Sequence, residues 1–180
     1  MIRKLATIDD LYAVDGKAER VHGEIVLMPP TGDFPGTAGD AILSSLWSRM
    51  KSVGGGRAVG DCKAFLADLP HRKSFCPNAA WYTGPLAGMK FYPVPPAFAV
   101  EVRSENDYGA KAEADMAAKR ADYFAAGTLV VWDVDLLSYD VVRVYRATSP
   151  DEPTIYRRGQ IAEAEPAVPN WRMPVDELFA

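Results

Sequence analysis

The stretch PAFAVEVRSEND, residues 96–107, decides how this sequence of 180 residues is interpreted. Its alternation predicts a β-strand over 97–103 with large apolar side chains on one face. The other face carries small alanines followed by two opposite charges, Glu101 and Arg103. Small neighbours leave room beside Glu101 for a further group. The simpler alternative is that the two charges pair at a rim and have no other role.

The segment after this strand predicts a partner for Glu101. A helix is predicted near 109–126 and a second strand over 128–135, and this strand–helix–strand order implies a parallel pair with a right-handed crossover. On a helical wheel, Lys119 falls at the margin of the apolar stripe that contains Met116 and Tyr123. We therefore expect Lys119 and Glu101 to converge at the carboxyl end of the first strand, where open α/β sheets place ligands.

The remaining patterns complete an α/β fold. Thr7 can cap a short helix, and AERVHGEIVLMP, residues 18–29, indicates a hairpin with its turn at HGE. Further predictions are a loop at TGDFPGTAGD (31–40), a helix at AILSSLWSRMKSV (41–53) ended by glycines 54–56, strands within 57–70 and 74–84 joined by the turn PHRKS, a strand at DVVRVYRA (140–147) and a short C-terminal helix. We expect a single domain over residues 1–180, with a central mixed β-sheet flanked by α-helices.

Composition limits the function classes. The net charge is −4, so the strongly basic surface typical of nucleic-acid binding is absent, and contact with DNA would need a local patch or a metal ion. The N-terminal stretch has no apolar signal-peptide block, and no apolar run is long enough to cross a bilayer. Cys62 and Cys76 lack metal-ligand spacing and are expected to be reduced, in a cytoplasmic protein, although a disulfide between them is the alternative.

A third candidate group comes from CPNAAWY, residues 76–82. Pro77 suits the start or edge of a strand, and Asn78 follows it. Taken alone, Asn78 is more simply a turn or edge-strand asparagine.

Taken in order, these segments resemble a known family. AERVHGEIVLMPP, CPN, FAVEVRS, DMAAKRADYFAAG, LVVWDVD and VRVYR together resemble the Uma-type putative restriction endonucleases, a branch of the PD-(D/E)XK nuclease superfamily. The resemblance runs nearly from end to end. It implies a restriction-endonuclease-like core and a site that hydrolyses phosphodiester bonds with Mg²⁺ or Mn²⁺.

The resemblance also assigns roles to residues. It implies that Glu101 is the strand glutamate that binds the metal ion, that Lys119 is the lysine beside the attacking water, and that Asn78 stands at the aspartate ligand position. Glu19 and Glu24 match two N-terminal glutamates, and Glu19 is expected near the site. Arg103 takes the strand position where related nucleases carry a lysine. It is expected either to bind phosphate or to pair with Glu101 or Glu105.

Two departures bear on activity. An amide oxygen at Asn78 can coordinate Mg²⁺ but neutralises no charge, and the loop at 31–40 lacks the histidine that the family tends to carry there. The sequence therefore leaves three hypotheses: a metal-dependent DNA endonuclease, impaired or not; a catalytically inactive module that binds nucleic acid or a protein partner; and a structural ion pair between Glu101 and Lys119. Cleavage of both DNA strands would favour a homodimer.

Other chemical patterns favour structural roles. His22 and Glu24 fall in a tight turn, and the residues His71, Arg72 and Lys73 are expected at an exposed hairpin tip, where phosphate contact is the alternative. Asp133 and Asp135 end a strand and favour a turn role over a metal role. GGGR at 54–57 lacks the lysine and hydroxyl residue of a phosphate-binding loop.

Overall fold

A computed structural model describes residues 5–179 of the chain. In chain order the elements are α1 (Ile8–Tyr12), β1 (Ala18–Val21), β2 (Glu24–Leu27), α2 (Asp33–Ser52), β3 (Arg57–Gly60), β4 (Phe65–Leu66), β5 (Ser74–Phe75), β6 (Ala79–Tyr82), β7 (Phe98–Val102), α3 (Ala110–Ala125), β8 (Val130–Val134), β9 (Val142–Arg146), β10 (Ser149–Tyr156), β11 (Ile161–Glu163), β12 (Arg172–Pro174) and a 3₁₀ turn (Val175–Phe179).

A six-stranded mixed sheet organises the molecule. Its strand order is β10-β9-β8-β7-β6-β3, and β7 and β8 form its parallel pair, whereas the other neighbours run antiparallel. The helix α3 connects the two parallel strands, as the strand–helix–strand pattern predicts. The predicted fold class, a mixed sheet flanked by helices, is confirmed.

The two faces of the sheet pack against different elements. On one face, Phe98, Val100 and Trp132 lie in a core with Ile42 and Leu46 of α2 and with the C-terminal segment. On the other face, Ala99 and Val131 lie beneath Phe75 and Tyr123, and Tyr123 brings α3 into that layer. The small side chain of Ala99 lets α3 and the β5 segment approach the strand that carries Glu101.

Local signals explain the start of the chain. Thr7 caps α1 and forms a reciprocal pair of bonds with Asp10, and β1 and β2 form the predicted hairpin around His22 and Gly23. The prediction of a loop over 31–40 was wrong, because α2 already begins at Asp33. Asp33 and Pro35 suit a first helical turn, and Ala38 and Gly39 are buried against the sheet, so packing outweighs the low helix propensity of the glycines.

The two strands predicted within 57–70 and 74–84 are each broken in two. β3 pairs with β6, whereas β4 and β5 form a separate two-stranded sheet. The first break contains Cys62, whose φ of 59° lies in the left-handed region, and the second contains Pro77, which cannot donate to a ladder.

The C-terminal part adds strands that the sequence analysis did not predict. β9 pairs with β8 as expected, but β10, β11 and β12 follow it. β10 is an edge strand that contains Pro150 and Pro153, and its polar composition gives no apolar alternation from which a strand could be predicted.

Cys62 is an exposed thiol and Cys76 a buried one, so the alternative of a disulfide is wrong. Within residues 5–179, no helix has the length and apolar character needed to traverse a bilayer.

Candidate active site

A cavity of about 900 Å³ lies at the carboxyl end of β7. The side chains that line it include Asn78, Glu101, Arg103, Lys119 and Tyr123. They come from the residue before β6, from β7 and the residue after it, and from α3. The structure thus brings to one cavity four of the five site residues that the sequence analysis named, and the fifth, Glu19, lies directly behind them.

Glu101 presents one oxygen to the protein. Lys119 Nζ lies 2.8 Å from Glu101 Oε1, and the Tyr123 hydroxyl donates to the same oxygen at 2.7 Å. Among residues 5–179, none donates a hydrogen bond to Glu101 Oε2. Because the side chain is 21% exposed within the cavity wall, this second oxygen remains available to a ligand.

Lys119 lies between two carboxylates. Its Nζ is 2.9 Å from Glu19 Oε1 as well as 2.8 Å from Glu101 Oε1. Burial alone would lower the pKa of Lys119, but the charges of Glu101 and Glu19 outweigh it and raise the pKa above the usual value of a lysine. The ammonium is therefore permanently charged. It has three N–H donors, so one remains for a water molecule or a phosphate oxygen.

Glu19 anchors this lysine from β1. Its Oε2 accepts a bond from Arg72 Nη1 at 2.5 Å, and its Oε1 accepts the Cys76 amide at 2.8 Å. Burial opposes ionisation, but the charges of Lys119 and Arg72 hold the pKa of the Glu19 carboxyl below its usual range. Glu24, the second glutamate that the resemblance matched, is exposed at the start of β2.

The ion pairs continue beyond Glu19. Arg72 Nε binds Asp122 Oδ2 at 2.7 Å, and His71 Nε2 lies 2.7 Å from Asp122 Oδ1. The charges alternate along Asp122, Arg72, Glu19, Lys119 and Glu101, which gives three carboxylates for two cations. One negative charge is left over, and Glu101 lies at the end of the series that faces the cavity.

One residue of this series contradicts the sequence analysis, and another was not singled out there. Arg72 was expected at an exposed turn but is only 7% exposed, and Asp122 is buried as well. A charged turn sequence carries no signal of its burial, because the partner of Arg72 is 53 residues away in sequence. Tyr123 was assigned to the apolar stripe, and its additional role as a donor to Glu101 was missed.

Asn78 lies level with Glu101 on the neighbouring strand. It directly precedes β6, in which Ala79 is paired with Val100 of β7. Its Oδ1 accepts the backbone N–H of Val102 at 2.8 Å. Helix α2 passes close by, because a Cβ added to Gly39 would lie 3.7 Å from Asn78 Cβ. The amide oxygen is thus held in place and keeps one lone pair free.

Arg103 has different partners from those predicted. It makes two bonds of 2.8 Å to Asp133 and two further bonds to Glu113, instead of pairing with Glu101 or Glu105. The reason is the parallel register, which sets Glu101 opposite Asp133 and places the Asp133 carboxylate within reach of the arginine. Asp133 therefore has a structural role, as does Asp135, which accepts a bond from Tyr108.

The oxygen ligands fit a weakly held divalent ion. Within residues 5–179, no group of three or more histidine, cysteine, aspartate or glutamate side chains is arranged to bind a metal ion. Glu101 Oε2 and Asn78 Oδ1 nevertheless are hard oxygen ligands beside one cavity. Mg²⁺ is commonly held by one or two carboxylates, with waters and substrate phosphates completing its octahedron. The residues present thus match a site whose affinity for the metal ion depends largely on bound substrate.

The fold and the comparisons define the class of protein. The mixed sheet with flanking helices, and the acidic and basic side chains around the cavity at the carboxyl end of β7, agree with the core that the sequence resemblance implies. The family model Uma2, described as "Putative restriction endonuclease", matches residues 6–176, and the chain therefore belongs to this family. Nucleases of this class generally use a divalent metal ion.

A solved structure supports the fold. The crystal structure of "a putative nuclease belonging to DUF820" from Anabaena variabilis ATCC 29413 is similar, with a TM-score of 0.73 and 16% sequence identity, over 97% of each chain. No curated protein matches this chain.

Proposed function

We propose that this protein is a metal-dependent endonuclease that hydrolyses phosphodiester bonds in DNA. The observation that carries this proposal is the fixed group of Glu101, Lys119 and Tyr123 beside Asn78, in one cavity. Glu101 and Asn78 would hold Mg²⁺ or Mn²⁺. When bound, the ion supplies an acidified water and neutralises negative charge on the phosphate.

The protein's own side chains have separate tasks in this proposal. Tyr123 and Lys119 fix one oxygen of Glu101, so that the other oxygen points to the ligand without a search through rotamers. The third N–H of Lys119 faces the reacting phosphate or water and stabilises the charge that develops there. Glu19 positions Lys119 and does not itself touch substrate.

Asn78 sets the level of activity. An aspartate would bring a second negative charge to the ion, whereas the amide leaves only Glu101. The variant Asn78→Asp keeps the size of the side chain and the acceptor for the Val102 amide, so the fold should be retained. We expect it to bind Mn²⁺ about tenfold more tightly or better, because a nearby opposite charge strengthens a partly buried cation site.

Titration calorimetry with Mn²⁺ measures this change, and nicking of plasmid DNA follows activity. Asn106→Asp is the matched control, because Asn106 lines the same cavity but is exposed and receives the same charge. Glu101→Gln should abolish both signals. Equal gains in the two aspartate variants, or no gain in either, would refute a metal site at Asn78.

The alternative is a catalytically inactive module that keeps the nuclease fold to bind nucleic acid or a protein partner. Asn78 and the lack of a three-residue metal cluster within residues 5–179 favour it. It predicts no Mn²⁺-dependent nicking by the wild type or by Asn78→Asp.

For the active enzyme, we also propose a cytoplasmic homodimer, because a two-fold pair of sites suits the cutting of both strands of a duplex. Sedimentation analysis tests the dimer.

A further inference from the structure

The carboxylate of Glu113 occupies a position where an anion from outside the protein could bind. Glu113 lies in the first turn of α3, and both its oxygens bond to the guanidinium of Arg103, one of them at 3.1 Å from Nη2. A neighbouring edge of the same guanidinium, formed by Nε and Nη2, is held by Asp133. Arg103 is therefore clamped between two carboxylates, and it also lines the cavity.

The two carboxylates differ in how easily they could be replaced. The side chain of Asp133 is 3% exposed, so removing it from Arg103 would leave a buried charge without a partner. The side chain of Glu113 is 54% exposed and can be hydrated fully once it swings away. Ligand exchange at Arg103 would therefore displace Glu113 and leave Asp133 in place.

Glu113 lies in positively charged surroundings. Its hydrogen bonds to Arg103, together with the charges of Arg103, Arg143 and Arg120, hold the pKa of the Glu113 carboxyl below its usual range, against the opposing effect of burial. Arg143 Nη1 is buried and has no hydrogen-bond partner within residues 5–179, and the Asp135 carboxylate is 3.9 Å away. Arg143 is thus enclosed beside Asp135, whereas Arg120 lines the cavity.

We propose that Arg103 and Arg120 form a subsite for a backbone phosphate of the nucleic acid, and that Glu113 fills this subsite until substrate displaces it. This inference rests on the proposed function and adds a second phosphate contact to it. A phosphodiester offers two oxygens to an arginine in the same two-pronged geometry as a carboxylate. The exchange therefore replaces one anion with another on the same donors.

The position of the subsite fits a phosphate adjacent to the reacting one. Arg103 follows Glu101 by two residues on the same face of the extended chain, which is a rise of roughly 6.6 Å. Neighbouring phosphates of an extended single strand have a comparable separation. Arg120 is next to Lys119 on α3 and lines the same cavity. The substrate would thus be a strand with at least two consecutive phosphates, not a single nucleotide.

The variant Glu113→Gln tests the subsite. Glutamine retains an oxygen acceptor for Arg103, so the fold should persist, but it loses the charge that competes with phosphate. In buffer with EDTA, we expect a fluorescent single-stranded oligothymidylate to bind Glu113→Gln about fivefold to tenfold more tightly than the wild type. Asp115→Asn is the matched control, because Asp115 is an exposed carboxylate on the same helix that lines the cavity. It should bind as the wild type does.

A second substitution assigns the gain to the arginines. Adding Arg120→Met to Glu113→Gln should remove the gain, and Arg120→Gln serves the same purpose if the first double variant does not fold. Equal tightening by Asp115→Asn, or no tightening by Glu113→Gln, would overturn the subsite.

The two proposals fail in different experiments. Binding in EDTA involves no metal ion and no hydrolysis. Tighter binding by Glu113→Gln without any Mn²⁺-dependent nicking would refute the endonuclease and support the subsite, whereas nicking without the tightening would refute the subsite alone.

Discussion

At the scale of single residues, Lys119 carries the most constrained charge of the site. It is 18% exposed and pairs with two carboxylates, of which Glu19 is 6% exposed. Exposed ion pairs contribute little to stability, but a buried charge that loses its partner is strongly unfavourable. The same geometry that orients Glu101 for a ligand is therefore also required by the fold.

Lys119→Met should therefore destabilise the fold. The substitution leaves Glu19 and Glu101 with one cation fewer, and we expect it to lower the free energy of unfolding by about 3–5 kcal/mol. Urea unfolding measures the change. Lys111→Met is the control, because Lys111 lies on the same helix and pairs with Asp115, but its side chain is 90% exposed. A loss of similar size in both variants would contradict the buried network.

At the scale of elements, the network of ion pairs holds the site together across the chain. Glu19 belongs to β1, Arg72 to the turn before β5, Lys119 to α3 and Glu101 to β7. The ion pairs act together with the backbone bonds between β1 and the turn at 71–73 and with the packing of Tyr123 on Ala99. The candidate site therefore depends on elements that are distant in sequence.

The pKa of Glu19 predicts how this network responds to acid. Because its pKa is lowered in the folded protein, the stability it contributes is fully present above the ordinary glutamate value of 4.5 and is lost as the pH falls through the lower folded value. Glu19→Gln should therefore be destabilised near neutral pH, and its difference from the wild type should shrink as the pH falls below 4.5. Urea unfolding across this range measures the difference, and a difference that does not change with pH would contradict the ionised network.

The same elements show what the sequence could reveal. Alternation in β7 and the phase of α3 are local properties, so they correctly predicted that Glu101 and Lys119 converge. The burial of Arg72 and the pairing of Arg103 with Asp133 depend on which strands become neighbours, and no local pattern records that. The early start of α2 was missed because its glycines and proline have low helix propensity, which packing under the sheet overcame.

At the scale of the whole molecule, charge limits how the protein can meet DNA. The net charge is −4. Among residues 5–179, five basic and six acidic side chains line the cavity. Each of the basic side chains already has a partner. Lys17 pairs with Asp61. The carboxylates described above pair with Arg72, Arg103 and Lys119, and Arg120 lies over the ring of Tyr145 at 3.7 Å. The cavity therefore offers few free cations to phosphates.

This balance predicts weak, metal-dependent binding to duplex DNA. In EDTA at physiological salt, we expect a dissociation constant above about 10⁻⁴ M, at the weak limit of ordinary non-specific binding, because few counterions are released when paired cations meet phosphates. Mn²⁺ should tighten binding, since the ion adds positive charge beside Glu101. Fluorescence anisotropy with a labelled duplex, repeated at several salt concentrations, measures both the affinity and its salt dependence. Submicromolar binding in EDTA with a steep salt dependence would mean that a basic surface outside this cavity engages the DNA. Substrate would then be recognised at a distance from the carboxyl end of β7.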